Sequence, residues 1–214
     1  MALTALLASC ATEMPSQPWT HLVASGIKIS ARPASYEDLV RNYGNPSSAM
    51  NPLVDYPSLV SQLRLLVFDV TIESPEHDVE LITRQTTCAF IGAKDSPLAP
   101  AELRALDAQD LQEAWREHVD GSSKMPELVF KSNKALPGDL RASPGKPASG
   151  YLVFLGYFPK GGTAVLSLAM RSSAGDAGDV KLRVELPDLD KKKATGIFSQ
   201  TAKEVPAASN PAGD

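Results

Sequence analysis

Short apolar stretches that end at glycine or proline constrain the fold of this chain more than any other feature. Residues 62–72 (QLRLLVFDVTI) are rich in β-branched and aromatic side chains, and alternate residues from Leu66 to Ile72 fall on one face. Residues 150–158 are apolar on both faces, which indicates a central strand. The sequence holds seven or eight such stretches, with turn residues between them and no regular alternation with helices. We therefore predict a mainly β chain that folds as an antiparallel β-sandwich.

The other strands and the helices are predicted from turn and capping residues. Two short helices are expected to be inserted among the strands. One lies near residues 35–43, where Ser35 can cap its start, and the other near residues 100–119, where Asp107 can cap a turn. Residues 137–147 hold three prolines and are predicted as a loop. Further strands are predicted within residues 21–30, 79–83, 86–91, 128–130, 163–170 and 180–186.

The first ten residues end in Leu7-Ala8-Ser9-Cys10, behind an apolar run. This tetrapeptide resembles the lipobox of bacterial lipoproteins, in which a leucine and two small residues precede the cysteine that carries the lipid. The resemblance implies a diacylglyceryl group on the sulfur of Cys10, removal of the residues before it and acylation of the new amino group. Ala11 follows the cysteine where other members carry aspartate, so the family's sorting rule implies the outer membrane, facing the periplasm.

The segment before Cys10 is shorter than a complete signal peptide. Signal peptides begin with basic residues and continue with roughly 7–15 apolar ones, whereas nine residues precede Cys10 and none of them is Lys or Arg. We therefore expect the true start codon to lie upstream. Residues 1–9 are then a residual signal peptide and residues 10–18 a polar, lipid-anchored tether. Residues 19–186 form the β-sandwich, and residues 187–214 a polar, disordered tail.

Two segments resemble a class of exported bacterial β-sandwiches with an immunoglobulin-like (telokin-like) fold. The first is residues 65–73 (LLVFDVTIE), an apolar strand followed by a polar turn. The second is residues 144–154 (PGKPASGYLVF), in which Pro-Gly and small residues precede an apolar strand. The resemblance implies an immunoglobulin-like sandwich that binds other proteins or assembles envelope structures, and it implies no catalytic residues.

The composition argues against several classes of function. The net charge of −4 at pH 7 does not favour a broad nucleic-acid-binding surface. The sequence contains no apolar run of about 20 residues that would predict a transmembrane helix. Two cysteines are too few for a disulfide scaffold or a cysteine-only zinc site. HxH, HExxH, GxSxG and P-loop motifs are absent from the sequence. We predict no cofactor, no metal, no nucleic-acid partner and no small-molecule substrate.

A few single residues remain as chemical candidates. Cys88 lies in an apolar stretch and is predicted to be an inert core cysteine. The alternatives are a nucleophile or, if Cys10 carries no lipid, a Cys10–Cys88 disulfide. His77 lies in a charged turn and His118 near a helix end. A solvated turn and an interaction with the helix dipole are preferred over metal binding for these two histidines.

The sequence thus favours a non-enzymatic, lipid-anchored envelope protein that contacts membrane lipid through acylated Cys10 and also binds envelope proteins. Tyr43, Tyr56 and Tyr157 are candidate interface residues, because tyrosines often anchor interfaces. One alternative is a periplasmic enzyme or metal-binding module that uses His77 and His118. The other is a soluble cytoplasmic protein of unknown role, in which Cys10 is incidental.

Overall fold

A computed structural model describes residues 16–45, 51–54, 64–91, 102–118, 124–131, 137–156, 158 and 161–187. The strands are β1 (Thr20–Ala24), β2 (Ile27–Pro33), β3 (Arg64–Glu73), β4 (Val79–Leu81), β5 (Thr87–Ile91), β6 (Leu103–Arg104), β7 (Leu140–Ala142), β8 (Ala148–Gly156), β9 (Gly162–Ser172) and β10 (Gly175–Leu186). The α-helices are α1 (Tyr36–Asn42) and α2 (Ala108–His118), and Thr83–Gln85 form a 3₁₀ turn. The prediction of a mainly β chain with two short helices is confirmed.

The strands pair into two antiparallel sheets. The first sheet has the order β1-β2-β3-β8. The second sheet is built around β9, which pairs with β10 along one edge and with both β5 and β4 along the other. β6 lies outside β5, and β7 lies outside β4. Both sheets therefore use long central strands, β3 and β9, as the template for their neighbours.

The two sheets share one hydrophobic core. Alternate residues of β3, among them Phe68 and Ile72, point into it and are fully buried. Alternate residues of β9, among them Leu166 and Leu168, meet them from the second sheet. Phe68 also packs edge-on against Phe154 of β8, with ring centroids 5.9 Å apart. Burial of these side chains is the main force that holds the sheets together, at roughly 1.5–3 kcal/mol for each large aliphatic or aromatic residue.

A helical layer covers the outer face of the first sheet. Val67 and Val153 point outward from β3 and β8, and both are buried. They pack with Leu39 of α1, Leu111 of α2 and Leu128 in a second apolar cluster.

β8 is thus buried on both faces, as its apolar residues predict. The prediction of a central strand is wrong, because β8 is the edge strand of the first sheet: it pairs with β3, and on its other side a single bridge joins Val153 to Leu106. The helical layer, and not a further strand, buries its outer face.

The structure corrects four details of the predicted elements. The short strand predicted within residues 21–30 is present as the start of β2, but a second strand, β1, precedes it in a hairpin, because Ser25 and Gly26 make a tight turn with φ of 50° and 77°. Helix α2 begins only at Ala108, after β6 and a short connection. Residues 128–130 make a single bridge, between Phe130 and Tyr43, and no strand. The predicted loop at 137–147 contains β7, which pairs with β4.

Asp107 explains where α2 begins. Its Oδ1 accepts hydrogen bonds from the backbone N–H groups of Gln109 and Asp110, both at 2.9 Å. This satisfies two donors that a helix start otherwise leaves without partners. The connection before Asp107 joins the two sheets: Ala105 N donates to Thr86 O of the second sheet, and Leu106 N donates to Val153 O of the first.

The signal-peptide segment at 1–9 and nearly all of the tail at 187–214 lie outside the described residues, as does most of the tether at 10–18. Neither helix in the described part of the chain is long and apolar enough to cross a membrane.

Candidate functional site

Three polar residues lie side by side on the outer face of the first sheet. The strand register pairs Arg32 of β2 with Asp69 of β3, and Asp69 with Tyr151 of β8. Asp69 and Tyr151 are fully buried, and one guanidinium nitrogen of Arg32 lies 3.7 Å from Asp69 Oδ2. A buried carboxylate requires a counter-charge. We call Arg32, Asp69 and Tyr151 the polar row.

Helix α1 closes over the polar row. Asp38 Oδ2 lies 3.0 Å from Nη2 of Arg32, and Asn42 Nδ2 donates a 3.0 Å hydrogen bond to the phenol oxygen of Tyr151. These two contacts are four residues apart on the helix, and so they lie on one face. Ser35 caps the helix by accepting a hydrogen bond from Asp38 N at 3.0 Å. The polar row therefore fixes both ends of α1 on the sheet.

The N-terminal end of the described chain also meets the polar row. The Trp19 ring stacks on the Arg32 guanidinium, with the centroid 4.8 Å from Cζ, and Arg32 Nη1 donates a 3.2 Å hydrogen bond to Ser16 Oγ. Stacking of this kind contributes about 0.5–2 kcal/mol. Arg32 thus holds the N-terminal segment, α1 and β3 in one place.

Burial and nearby charges both shift the pKa of the Tyr151 phenol. Burial raises the pKa of its phenol, and the carboxylates of Asp69 and Asp38 raise it further. The hydrogen bond from Asn42 and the charge of Arg32 oppose this only in part. Tyr151 is therefore a neutral phenol at physiological pH. As a neutral phenol it accepts the hydrogen bond from Asn42, and the polar row thereby positions α1 on the sheet.

A second charged cluster lies at the start of α2. Arg84 Nε lies 2.5 Å from Asp107 Oδ2 and 3.5 Å from Asp110 Oδ2, and Arg104 contacts Asp110 at 3.6 Å. Burial alone would raise the pKa of Asp107. Hydrogen bonds from the Asp110 and Gln109 N–H groups and the Arg84 guanidinium outweigh this and lower it. The cluster thus keeps the capping carboxylate ionised.

An open groove of about 350 Å³ lies at one end of the second sheet. Its lining includes Arg141, Arg171, Glu80 and Asp78. Glu80 Oε1 accepts a 2.7 Å hydrogen bond from Arg141, and its Oε2 lies 3.7 Å from Arg171. These three side chains are direct cross-strand neighbours on β7, β4 and β9.

The predicted site residues are not brought together in the described structure. Cys10, Tyr56 and Tyr157 lie outside the described residues, so their predicted lipidation and interface roles remain predictions. Tyr43 is half-buried, donates a 3.0 Å hydrogen bond to Glu127 O, and packs edge-on against Phe130 at 6.2 Å.

The two histidines of the alternative hypothesis lie on different elements. His77 is about half exposed in the turn before β4, with Nε2 3.8 Å from a Glu76 carboxylate oxygen. His118 is the last residue of α2, and its side chain is not described. Among the residues that the structure describes, no group of three or more His, Cys, Asp or Glu side chains is placed to hold a metal.

Cys88 is fully buried in the core between the sheets. Burial raises the pKa of its thiol to about 12. At neutral pH the thiol is therefore protonated and shielded from reagents, which matches the predicted inert core cysteine.

Sequence reasoning did not identify the polar row. Asp69 was visible as a lone acid within a strongly apolar strand, and such an acid is buried only with a partner. That signal could have predicted a buried ion pair. It did not identify Arg32 as the partner, because their pairing depends on the register between strands.

The fold and these clusters define a mainly β protein of two antiparallel sheets with a covering helical layer. No family model matches the sequence, and no curated protein matches it. Among solved structures, the chain is similar to ycdA from Bacillus subtilis, a protein provisionally described as a lipoprotein. The TM-score is 0.40 at 11% sequence identity, and the match covers 82% of this chain and 41% of that one. The chain thus spans about two fifths of that protein's length.

Proposed function

We propose that this chain is a lipid-anchored protein of the bacterial cell envelope, with acyl chains on Cys10. It acts without catalysis, as a structural or protein-binding component of an envelope assembly. The observation that carries the proposal is the lipobox-like Leu7-Ala8-Ser9-Cys10 behind an apolar run. An outer-membrane, periplasm-facing location and an immunoglobulin-like class for the two-sheet domain are parts of the same proposal.

The way the N-terminal segment is held supports this proposal. Ser16 and Trp19 contact Arg32 on the outer face of the first sheet. Cys10 and Ser16 are six positions apart in the sequence, and an extended chain of that length spans at most about 21 Å. A membrane anchor at Cys10 would therefore keep the polar row close to the lipid surface, and the contacts of Arg32 would transmit the anchor's position to the domain.

The lipid anchor can be tested by labelling living cells. Bacteria that produce the full chain from its native upstream sequence are grown with an alkyne analogue of palmitate, and the tagged protein is isolated from membrane and soluble fractions. We expect label on the wild type and no label on Cys10→Ala, which should also leave the membrane fraction.

Cys88→Ala is the matched control, because it removes the only other cysteine of the chain. We expect this variant to carry as much label as the wild type. Label that persists in Cys10→Ala, or a wild type that carries none, would contradict the proposal.

A further inference from the structure

The outer face of the second sheet presents its side chains in straight rows. The antiparallel register places outward residues directly opposite one another on neighbouring strands, and the inward residues between them are buried in the core. The rows are Lys181–Ser167–Thr87–Arg104, Arg183–Val165–Ala89, Glu185–Thr163–Ile91 and Arg171–Glu80–Arg141. We call this surface the basic sheet face.

The charge of the basic sheet face opposes that of the whole chain. It holds five cations against four carboxylates, a net charge of +1, whereas the chain as a whole carries −4. The cations are Arg104, Arg141, Arg171, Lys181 and Arg183, and the carboxylates are Glu80, Glu102, Asp179 and Glu185. Glu102 belongs to the face because it accepts a hydrogen bond from Thr87 Oγ1. Such a separation of charge steers a partner of opposite sign to one face.

Two of the cations are available to a partner. Glu80 is shared by Arg141 and Arg171, and Arg104 faces Asp110 at 3.6 Å. Lys181 and Arg183 are exposed on β10, and within the described part of the chain no carboxylate forms an ion pair with either. Their charges can therefore be neutralised by carboxylates from another molecule.

The centre of the basic sheet face is made of small side chains. Ala89, Ser167 and Val165 lie between the β10 cations on one side and Arg104 on the other. Three strand spacings, about 14 Å, separate β10 from β6. That width admits one extended chain, and a small apolar centre with a charged rim is the usual anatomy of a protein interface.

We propose that the basic sheet face docks an acidic, extended segment of a partner protein. The segment lies over β9, and its carboxylates pair with Lys181 and Arg183. The face is on the opposite side of the two-sheet core from Arg32, which holds the N-terminal segment. It therefore points away from the proposed lipid anchor. This inference rests on the proposed function in one respect, which is that the partner is a protein.

Binding can be tested with the full chain carrying Cys10→Ala, so that no lipid is involved. A fluorescein-labelled oligoglutamate peptide is titrated at low and high salt, and the contact surface is mapped by amide NMR shifts. We expect binding that weakens with salt and shifts centred on Thr87, Val165 and Ser167. In Lys181→Glu/Arg183→Glu, affinity at low salt should fall about tenfold.

The matched control is Arg116→Glu/Lys124→Glu, which changes the net charge equally at exposed positions outside the basic sheet face. Its affinity should stay within about twofold of the parent, because the local charges are intact. A Lys181→Gln/Arg183→Gln variant should show an intermediate loss, and dispersed NMR spectra will show that each variant is folded.

Three results would overturn this inference: no peptide binding, an equal loss in both charge-reversed variants, or shifts centred elsewhere. Binding to phosphatidylglycerol vesicles through Lys181 and Arg183, without binding to the peptide, would replace the protein partner with a lipid surface. None of these results bears on Cys10, so the proposed lipid anchor is tested separately, by experiments on Cys10 itself.

Discussion

Arg32 is the residue on which the outer face of the first sheet depends most. Its guanidinium contacts Asp38 of α1, the buried Asp69 of β3, the Trp19 ring and Ser16. One side chain therefore links a helix, a strand and the N-terminal segment. Because Asp69 is fully buried, the loss of the guanidinium would leave a charge in an apolar setting with its main counter-charge removed.

We therefore expect Arg32→Met to lower the free energy of unfolding by about 3–5 kcal/mol in urea denaturation. The double variant Arg32→Met/Asp69→Leu should recover much of that loss, since an apolar pair can replace a buried ion pair. Arg41→Met on the exposed side of α1 is the control, with an expected change within about 0.5 kcal/mol. A single Arg32→Met variant as stable as this control would contradict the role of Arg32.

Asp107 makes stability depend on pH in the acid range. Its pKa is lowered in the folded chain, so its contribution is complete above the unfolded pKa of about 3.9 and is lost as the pH falls through the folded value. Asp107→Ala should cost about 1 kcal/mol at pH 7, because the cap of α2 is lost. The difference from wild type should shrink at pH 3.

Asp107→Asn serves as the control for this prediction, since it keeps a capping oxygen but cannot ionise. At pH 7 this variant should be less destabilised than Asp107→Ala. As the pH falls from 7 to 3, it should lose less stability than the wild type, because it has no carboxylate at position 107 to become protonated. If the gap between wild type and Asp107→Ala were the same at pH 3 as at pH 7, the ionised carboxylate would not be the source of the effect. Thermal melts between pH 3 and pH 7 would measure the stability of the wild type and of both variants.

The β1–β2 hairpin depends on two residues with left-handed backbone. Gly26 has φ of 77°, and no atom lies within 4 Å of the position that a Cβ would take. A substitution there meets backbone strain and no steric clash. Gly26→Ala should therefore lower stability by about 1 kcal/mol, whereas Gly26→Asn should cost less, because asparagine tolerates this conformation. Equal losses in urea denaturation would show that the conformation of the turn is unimportant.

Elements with a local signal could be predicted from the sequence. The cap at Ser35 and the acids after it placed α1 almost correctly, and the apolar alternation located β3. The hairpin turn at Ser25 and Gly26 was missed, because the stretch was treated as one strand. β7 was missed because its three residues lie among prolines and are held by pairing with β4, which a local pattern does not reveal.

The candidate site was harder to predict because it is built from long-range contacts. Arg32 and Asp69 lie 37 positions apart in the sequence and meet through the β2–β3 register. Tyr151 joins them from β8, and Asn42 reaches it from α1. Periodicity assigns each residue to a face of its strand but does not fix which residues stand opposite one another.

The molecule as a whole has two different faces. On one side, helices and the N-terminal segment cover the first sheet and meet at Arg32. On the other, the second sheet presents the basic sheet face. A domain held near a membrane by its N-terminus would thus keep one side toward the anchor and offer the other to a partner. This is the arrangement that the two proposals, a lipid anchor at Cys10 and a protein partner on the basic sheet face, require together.

The central claim, that Cys10 carries the lipid, is tested most directly by intact-mass spectrometry of the protein purified from native membranes. We predict a mature chain that begins at Cys10 and carries the added mass of two or three acyl chains, absent from the Cys10→Ala variant. An unmodified chain that retains Met1 and is recovered in the soluble fraction would contradict the claim.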